Sequence, residues 1–155
     1  MPFQIHSLPA EPFQRYFDMS AEELAAEGAH VETVKKYPGS PCRVSMDDAR
    51  VGEKVVLLNY EHQPENSPYK ASHAIFVRQG VEQVELAVNE VPAALSTRLI
   101  SIRGFDGEHF MREADVVDGA KLAETIEAVF SNEKIDYIHL HNARPGCFAA
   151  KLTRA

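Results

Sequence analysis

The stretch from Tyr137 to Leu152, YIHLHNARPGCFAAKL, decides how the chain folds. Side chains alternate across a strand. In its first arm Ile138 and Leu140 share one face, and Tyr137, His139 and His141 share the other. In its second arm Phe148, Ala150 and Leu152 share one face, and Cys147, Ala149 and Lys151 the other. A loop over residues 142–146 suits the turn: Asn142 can bond its own backbone, and Gly146 can take a positive φ after Pro145. That loop sets His141 opposite Cys147, Leu140 opposite Phe148 and Ile138 opposite Ala150. Both apolar sets then fall on one side, and a slip of one residue would break the match. The expectation is a C-terminal β-hairpin with one apolar face. Imidazole, sulfur and phenol gather on the other, and Arg144 projects from the turn.

The hairpin needs something to cover its apolar face, and DGAKLAETIEAVFSNE (residues 118–133) supplies it. Leu122, Ile126, Val129 and Phe130 follow helical spacing, with Glu124 and Glu127 off the stripe and Asp118 as the expected N-cap. Before it, RLISIRGF and HFMREADVV read as strands joined through Asp106-Gly107. KVVLLNY (residues 54–60) is apolar on both faces and belongs in the middle of a sheet. HAIFVRQ is a further strand, EHQPENSPYKAS a loop, and VEQVELAV a weak hairpin element or loop. Near the start, PFQIHSL is a short strand and EPFQRYF a helical turn. In MSAEELAAEG, Ser20 and Glu23 form a capping box, Met19 and Leu24 a staple, and Gly28 the stop. AHVETV is an edge strand, and VPAALST a short helix. The sum is an α+β fold: a mostly antiparallel sheet with two to four helices packed on it, a single domain over residues 1–155.

Composition limits the function. The chain has 155 residues and a net charge of -7, and its longest basic run is Lys35-Lys36, so a nucleic-acid partner is not expected. No apolar stretch approaches the roughly 20 residues of a membrane span, and the start lacks the pattern of a secretion signal. Two cysteines are too few for a disulfide scaffold. The expected setting is the cytoplasm, with reduced thiols.

The polar face of the hairpin supports three chemistries. His139, His141 and Cys147 offer imidazole and thiolate ligands to a metal, with a fourth from Glu61, His62 or Cys42. Against this, nothing like CxxC or HExxH accompanies the pair. Cys147 across from His141 has the placement of a nucleophilic thiol beside its base, although a reduced Cys is commonly an inert buried residue. Cys42 is a redox candidate beside it. Arg43, Arg103 and Arg144 lie near strand ends or Gly/Pro loops and suit carboxylate or phosphate, unless each pairs with one of the chain's 23 acidic residues. Glu61 and His62 end a central strand and point opposite ways. His6, His30, His73 and His109 are scattered and read as structural or surface residues.

Three blocks, PGSPCRVSMDDARVGEKVVLLNYEHQPENSPYKASHAIFVRQG, DVVDG and IHLHNARPGCFAAKLTRA, resemble the bacterial domain of unknown function 1203. The likeness runs nearly end to end. It implies a single domain of about this length and lends no activity, substrate or cofactor. It implies recurring motifs at Pro41-Cys42-Arg43, Tyr60-Glu61-His62, Ser67-Pro68-Tyr69 and from His141 to Cys147; polar motifs in loops suit a common site. The segment SHAIFV departs from the family's Gly-Pro near His73-Ala74, which argues against a role for His73.

The leading expectation is one pocket for a small polar or anionic molecule. His139, His141, Asn142, Arg144 and Cys147 form one wall, and Cys42, Arg43, Glu61 and His62 the other. Any catalysis falls to His141 and Cys147, and no cofactor is required. The alternatives are a non-catalytic interaction module, with EHQPENSPYKAS and the edge strand as its surface, and a metal-binding protein using His139, His141 and Cys147. Oligomeric state stays open.

Overall fold

The computed structural model describes residues 1–155. Its larger sheet has five antiparallel strands: β1 (Phe3–His6), β8 (Phe148–Arg154), β7 (Tyr137–Asn142), β5 (Leu99–Phe105) and β6 (Met111–Asp118), in that order across the sheet. A second sheet of three strands, β2 (His30–Thr33), β3 (Lys54–Gln63) and β4 (Ala71–Arg78), has β3 at its centre. The helices are short: α1 (Glu11–Gln14), continued by a 3-10 turn over Arg15–Asp18; α2 (Ala21–Ala26); α3 (Ala93–Ser96); and α4 (Leu122–Phe130). No helix is long and apolar enough to cross a membrane.

Local signals act as their chemistry dictates. Ser20 and Glu23 close a reciprocal capping box on α2. Asp118 accepts from the Ala120 N–H, so it caps a 3-10 turn, and α4 begins at Leu122. The stripe Leu122, Ile126, Val129 and Phe130 is buried against Ile100, Ile102, Ile138, Leu140 and Leu152 of the large sheet. Gly104 of β5 lies under α4's end, where a Cβ would come within 3.1 Å of Val129 and Ile135.

Three expectations need correction. The strands form two sheets, not one. The strand β3 runs on to Gln63, past the expected stop at Tyr60, because a bulge between Tyr60 and Gln63 lets the polar residues continue the ladder. The stretch VEQVELAV takes the loop form, one of its two expected readings, and Val84 and Leu86 pack singly onto the core. In the hairpin, Leu140 pairs with Ala150 and His141 with Phe148, so Ala149 is an extra residue. This bulge reverses the faces beyond it. Ala149 joins the core beside Ala150, and Phe148 turns to the histidine side.

Candidate functional site

The histidine face of the hairpin is not solvated: the far end of the small sheet closes over it. His139 and His141 are 3% and 1% exposed. Tyr137 OH accepts a hydrogen bond from Gln63 Nε2 at 2.9 Å, tying β7 to the end of β3. The β3 bulge carries His62 over the hairpin, where its ring stacks on Phe148 at 5.4 Å between centroids. His62 also meets His141 edge-on at 4.8 Å and His139 at 6.2 Å. One ligating nitrogen from each of the three rings lies within 4.8 Å of the others.

The hydrogen bonds of these rings are few. His141 Nδ1–H donates to the Gly146 carbonyl at 2.9 Å, which leaves Nε2 with a lone pair. His62 Nδ1 and His139 Nδ1 are sealed from solvent without a partner. Burial lowers the pKa of all three imidazoles, to about 4 for His62 and about 3 for His139 and His141; the Arg103 guanidinium pushes the same way. All three are therefore neutral at pH 7. Arg103 stands opposite His139 in the ladder, makes one bond to Ser101 Oγ and has no carboxylate partner.

The second concentration of polar groups lies on the other side of the turn. Arg43 is 2% exposed. Its Nε donates to the Phe148 carbonyl at 2.7 Å, its second nitrogen to the Pro41 carbonyl, and its third to Cys147 Sγ at 2.9 Å. Asn142 Nδ2 also donates to Cys147 Sγ, at 3.5 Å, while Asn142 Oδ1 is buried without a partner. Burial pulls the Arg43 pKa down and the Cys147 sulfur opposes it. No carboxylate pairs with Arg43. Asp48 lies near enough for the Arg43 charge to lower its pKa but is bound to Arg98, and a buried charge without a partner of its own is costly by several kcal/mol.

This wall borders a cavity of about 800 Å³ between the two sheets, lined also by Lys36, His73, Arg98, Arg144, Pro145 and Phe76. Arg98 is neutralised by a two-pronged contact to Asp48 at 2.6 and 2.7 Å. Burial pushes the Asp48 carboxyl up, but Arg98 and the Gly39 N–H outweigh it and hold it below its ordinary value. Arg144 and Lys36 are exposed and make no ion pair.

The expected single pocket is thus divided. Arg43, Asn142, Arg144 and Cys147 line the cavity; His62, half-buried, and the buried His139 and His141 form a separate cluster. The expected His141–Cys147 pair does not form, because the turn is one residue longer than expected: His141 stands opposite Phe148, and Cys147 falls opposite Asn142 and bonds Arg43. The metal set of His139, His141 and Cys147 is corrected likewise: the third side chain beside the pair is His62. Glu61 is exposed on the opposite face of β3. Cys42 Sγ accepts from the Arg78 and Ser45 N–H groups and packs in the core of the small sheet. His73, dismissed as structural, lies at the cavity wall, and no sequence signal distinguishes it. Arg98 was missed as well; a lone Arg before a strand carries no mark of its contact to Asp48.

A family model described as "Protein of unknown function (DUF1203)" matches residues 39–154, and the chain belongs to that family. The match begins at Gly39, so it is shorter than the end-to-end likeness expected. It contains every residue of both polar clusters except Lys36, and leaves β1, α1, α2 and β2 outside. No curated protein and no solved structure matches the chain.

Proposed function

We propose, for this member of the DUF1203 family, that the cavity between the sheets binds a small organic or inorganic anion of the carboxylate or phosphate class. One observation carries the reading: Arg43 is fully buried in the cavity wall and ion-pairs with no carboxylate, the neighbouring Asp48 being bound to Arg98, in a chain with 23 acidic and 16 basic residues. An excess of acid makes an unpaired guanidinium easy to neutralise, so its isolation calls for another anion. Cys147 supplies one candidate, and a ligand entering beside Arg144 and Lys36 supplies another. Guanidinium forks suit both carboxylate and phosphate. The volume falls within the 300–1,000 Å³ typical of small-molecule sites, roughly speaking. The unpaired cysteines support a cytoplasmic setting.

The test uses inorganic phosphate and succinate as probes, read by calorimetry and thermal shift. Arg144→Ala and Lys36→Ala remove exposed cations and leave the fold intact. Each is expected to weaken binding by about tenfold or more, since a charge-assisted hydrogen bond is worth roughly 1.5–3 kcal/mol. Failure of both anions to bind at millimolar concentration refutes the reading, and so does binding that ignores both substitutions.

A further inference from the structure

We propose that His62, His139 and His141 form a binding site for one divalent transition-metal ion of the zinc class, separate from the anion cavity. The strongest support is geometric. One nitrogen from each of three rings lies within 4.8 Å of the others, and the rings come from β3 and β7 of different sheets. On a tetrahedral zinc, at about 2.0–2.1 Å per bond, ligand nitrogens stand roughly 3.3 Å apart. The observed spacing closes to that by small ring rotations.

The ligand chemistry also fits. Three neutral imidazoles with no thiolate and no carboxylate are a borderline donor set, preferred by zinc, copper, nickel and iron(II) over calcium or magnesium. The Gly146 carbonyl fixes the His141 tautomer and presents Nε2 as the donor, the usual support for a metal-bound imidazole. The sealed nitrogens of His62 and His139 leave polar lone pairs or N–H groups unsatisfied, and no water reaches them. An ion held between the rings would give such nitrogens a partner.

The competing account is a purely structural aromatic cluster: Phe148 stacks on His62 and meets both other rings at their edges. That account explains the packing. It leaves unexplained why imidazole, rather than a phenyl ring, occupies two buried positions and a half-buried one at the cost of unpaired nitrogens. Arg103 and Lys151, the two ladder partners of His139, are the cations opposed to a metal ion. Their charges instead favour an anionic fourth ligand, such as hydroxide or a carboxylate, on a site with three protein ligands, the arrangement common to catalytic zinc centres.

The experiment takes the full chain, stripped with chelator and then titrated with zinc or cobalt(II) alone. One equivalent is expected to bind, with the melting temperature rising by roughly 5–10 °C at a hundredfold excess over Kd. His62→Phe keeps a ring on Phe148 and is expected to abolish the stoichiometric site. X-ray absorption at the zinc edge of the wild-type complex decides the matter if that variant does not fold: three imidazoles and no sulfur are expected. Three results overturn the proposal: no binding at millimolar metal, undiminished binding by a folded His62→Phe chain, or sulfur or fewer than three imidazoles around the zinc. None of these bears on the anion cavity, which Arg144→Ala and Lys36→Ala test separately.

Discussion

The two faces of the five-stranded sheet are both buried, and they are built on opposite terms. Toward α4 the sheet offers Ile100, Ile102, Ile138, Leu140 and Leu152, each 0% exposed, to an equally apolar helix stripe. Toward the small sheet it offers Tyr137, His139, His141 and Arg103. The first face gains from every area it hides, at about 25 cal/mol per Å². The second hides imidazole nitrogens without partners and a cation without an acid, which lowers stability. A protein that needed only to fold would carry aliphatic residues on both faces. The contrast assigns stability to the first face, and the second is the face on which the proposed metal site lies.

The sharpest way to break that contrast is to damage the apolar face. Phe130 is fully buried at the end of the α4 stripe. Phe130→Ala is expected to cost about 3–5 kcal/mol, read as a lower urea midpoint at unchanged slope. Zinc binding, measured under conditions where the variant is still folded, is expected to persist. Loss of metal binding in a folded Phe130→Ala chain would show that the two faces are not independent.

Acid probes the polar face. In chelator, the pKa values of His139 and His141 fall from about 6.5 unfolded to about 3 folded. The unfolded chain therefore binds protons that the folded chain refuses. The stability these groups contribute is whole above pH 6.5 and is lost as pH falls toward 3. Between pH 7 and pH 5 each loses roughly 2 kcal/mol. Urea midpoints across that interval read the slope. His139→Phe is expected to flatten it, because the titrating ring is gone; an unchanged slope would mean the imidazoles do not titrate as their burial requires.

How far the sequence revealed these faces follows from the range of each interaction. The α4 stripe, the Ser20–Glu23 box and the positive φ of Gly146 rest on neighbours within a few residues, and all were legible. The alternation of Ile138 and Leu140 against His139 and His141 was legible for the same reason. What covers the histidines was not, because it depends on β3 reaching over from another sheet through a bulge. The bulge at Ala149 was also invisible. The expected register matched apolar partners as well as the observed one, which is offset from it by two residues along the strands and by one at the turn. That offset puts Phe148 opposite His141 and leaves Cys147 opposite Asn142, on the other face. The pairing of Arg43 with Cys147 spans 104 positions, beyond any local signal.

The smallest expected effect sharpens the polar face further. Arg103 lies opposite His139, and its positive charge lowers the proton affinity of all three imidazoles. It is half-buried, so solvent screens much of that influence. Arg103→Gln removes the charge and keeps hydrogen-bonding capacity toward Ser101. The imidazole pKa values then rise toward their ordinary value, the folded chain accepts protons more readily, and less stability is lost on acidification. The acid-unfolding midpoint is expected to move to lower pH by roughly a few tenths of a unit, since exposed charges a few ångströms apart interact by about 1 kcal/mol. A shift to higher pH would mean that Arg103 holds the polar face together, and that its loss costs more than the repulsion it relieves. A shift in the expected direction leaves Arg103 as a cation kept beside neutral imidazoles at a cost to stability, which fits a face shaped for an anionic guest on a bound ion.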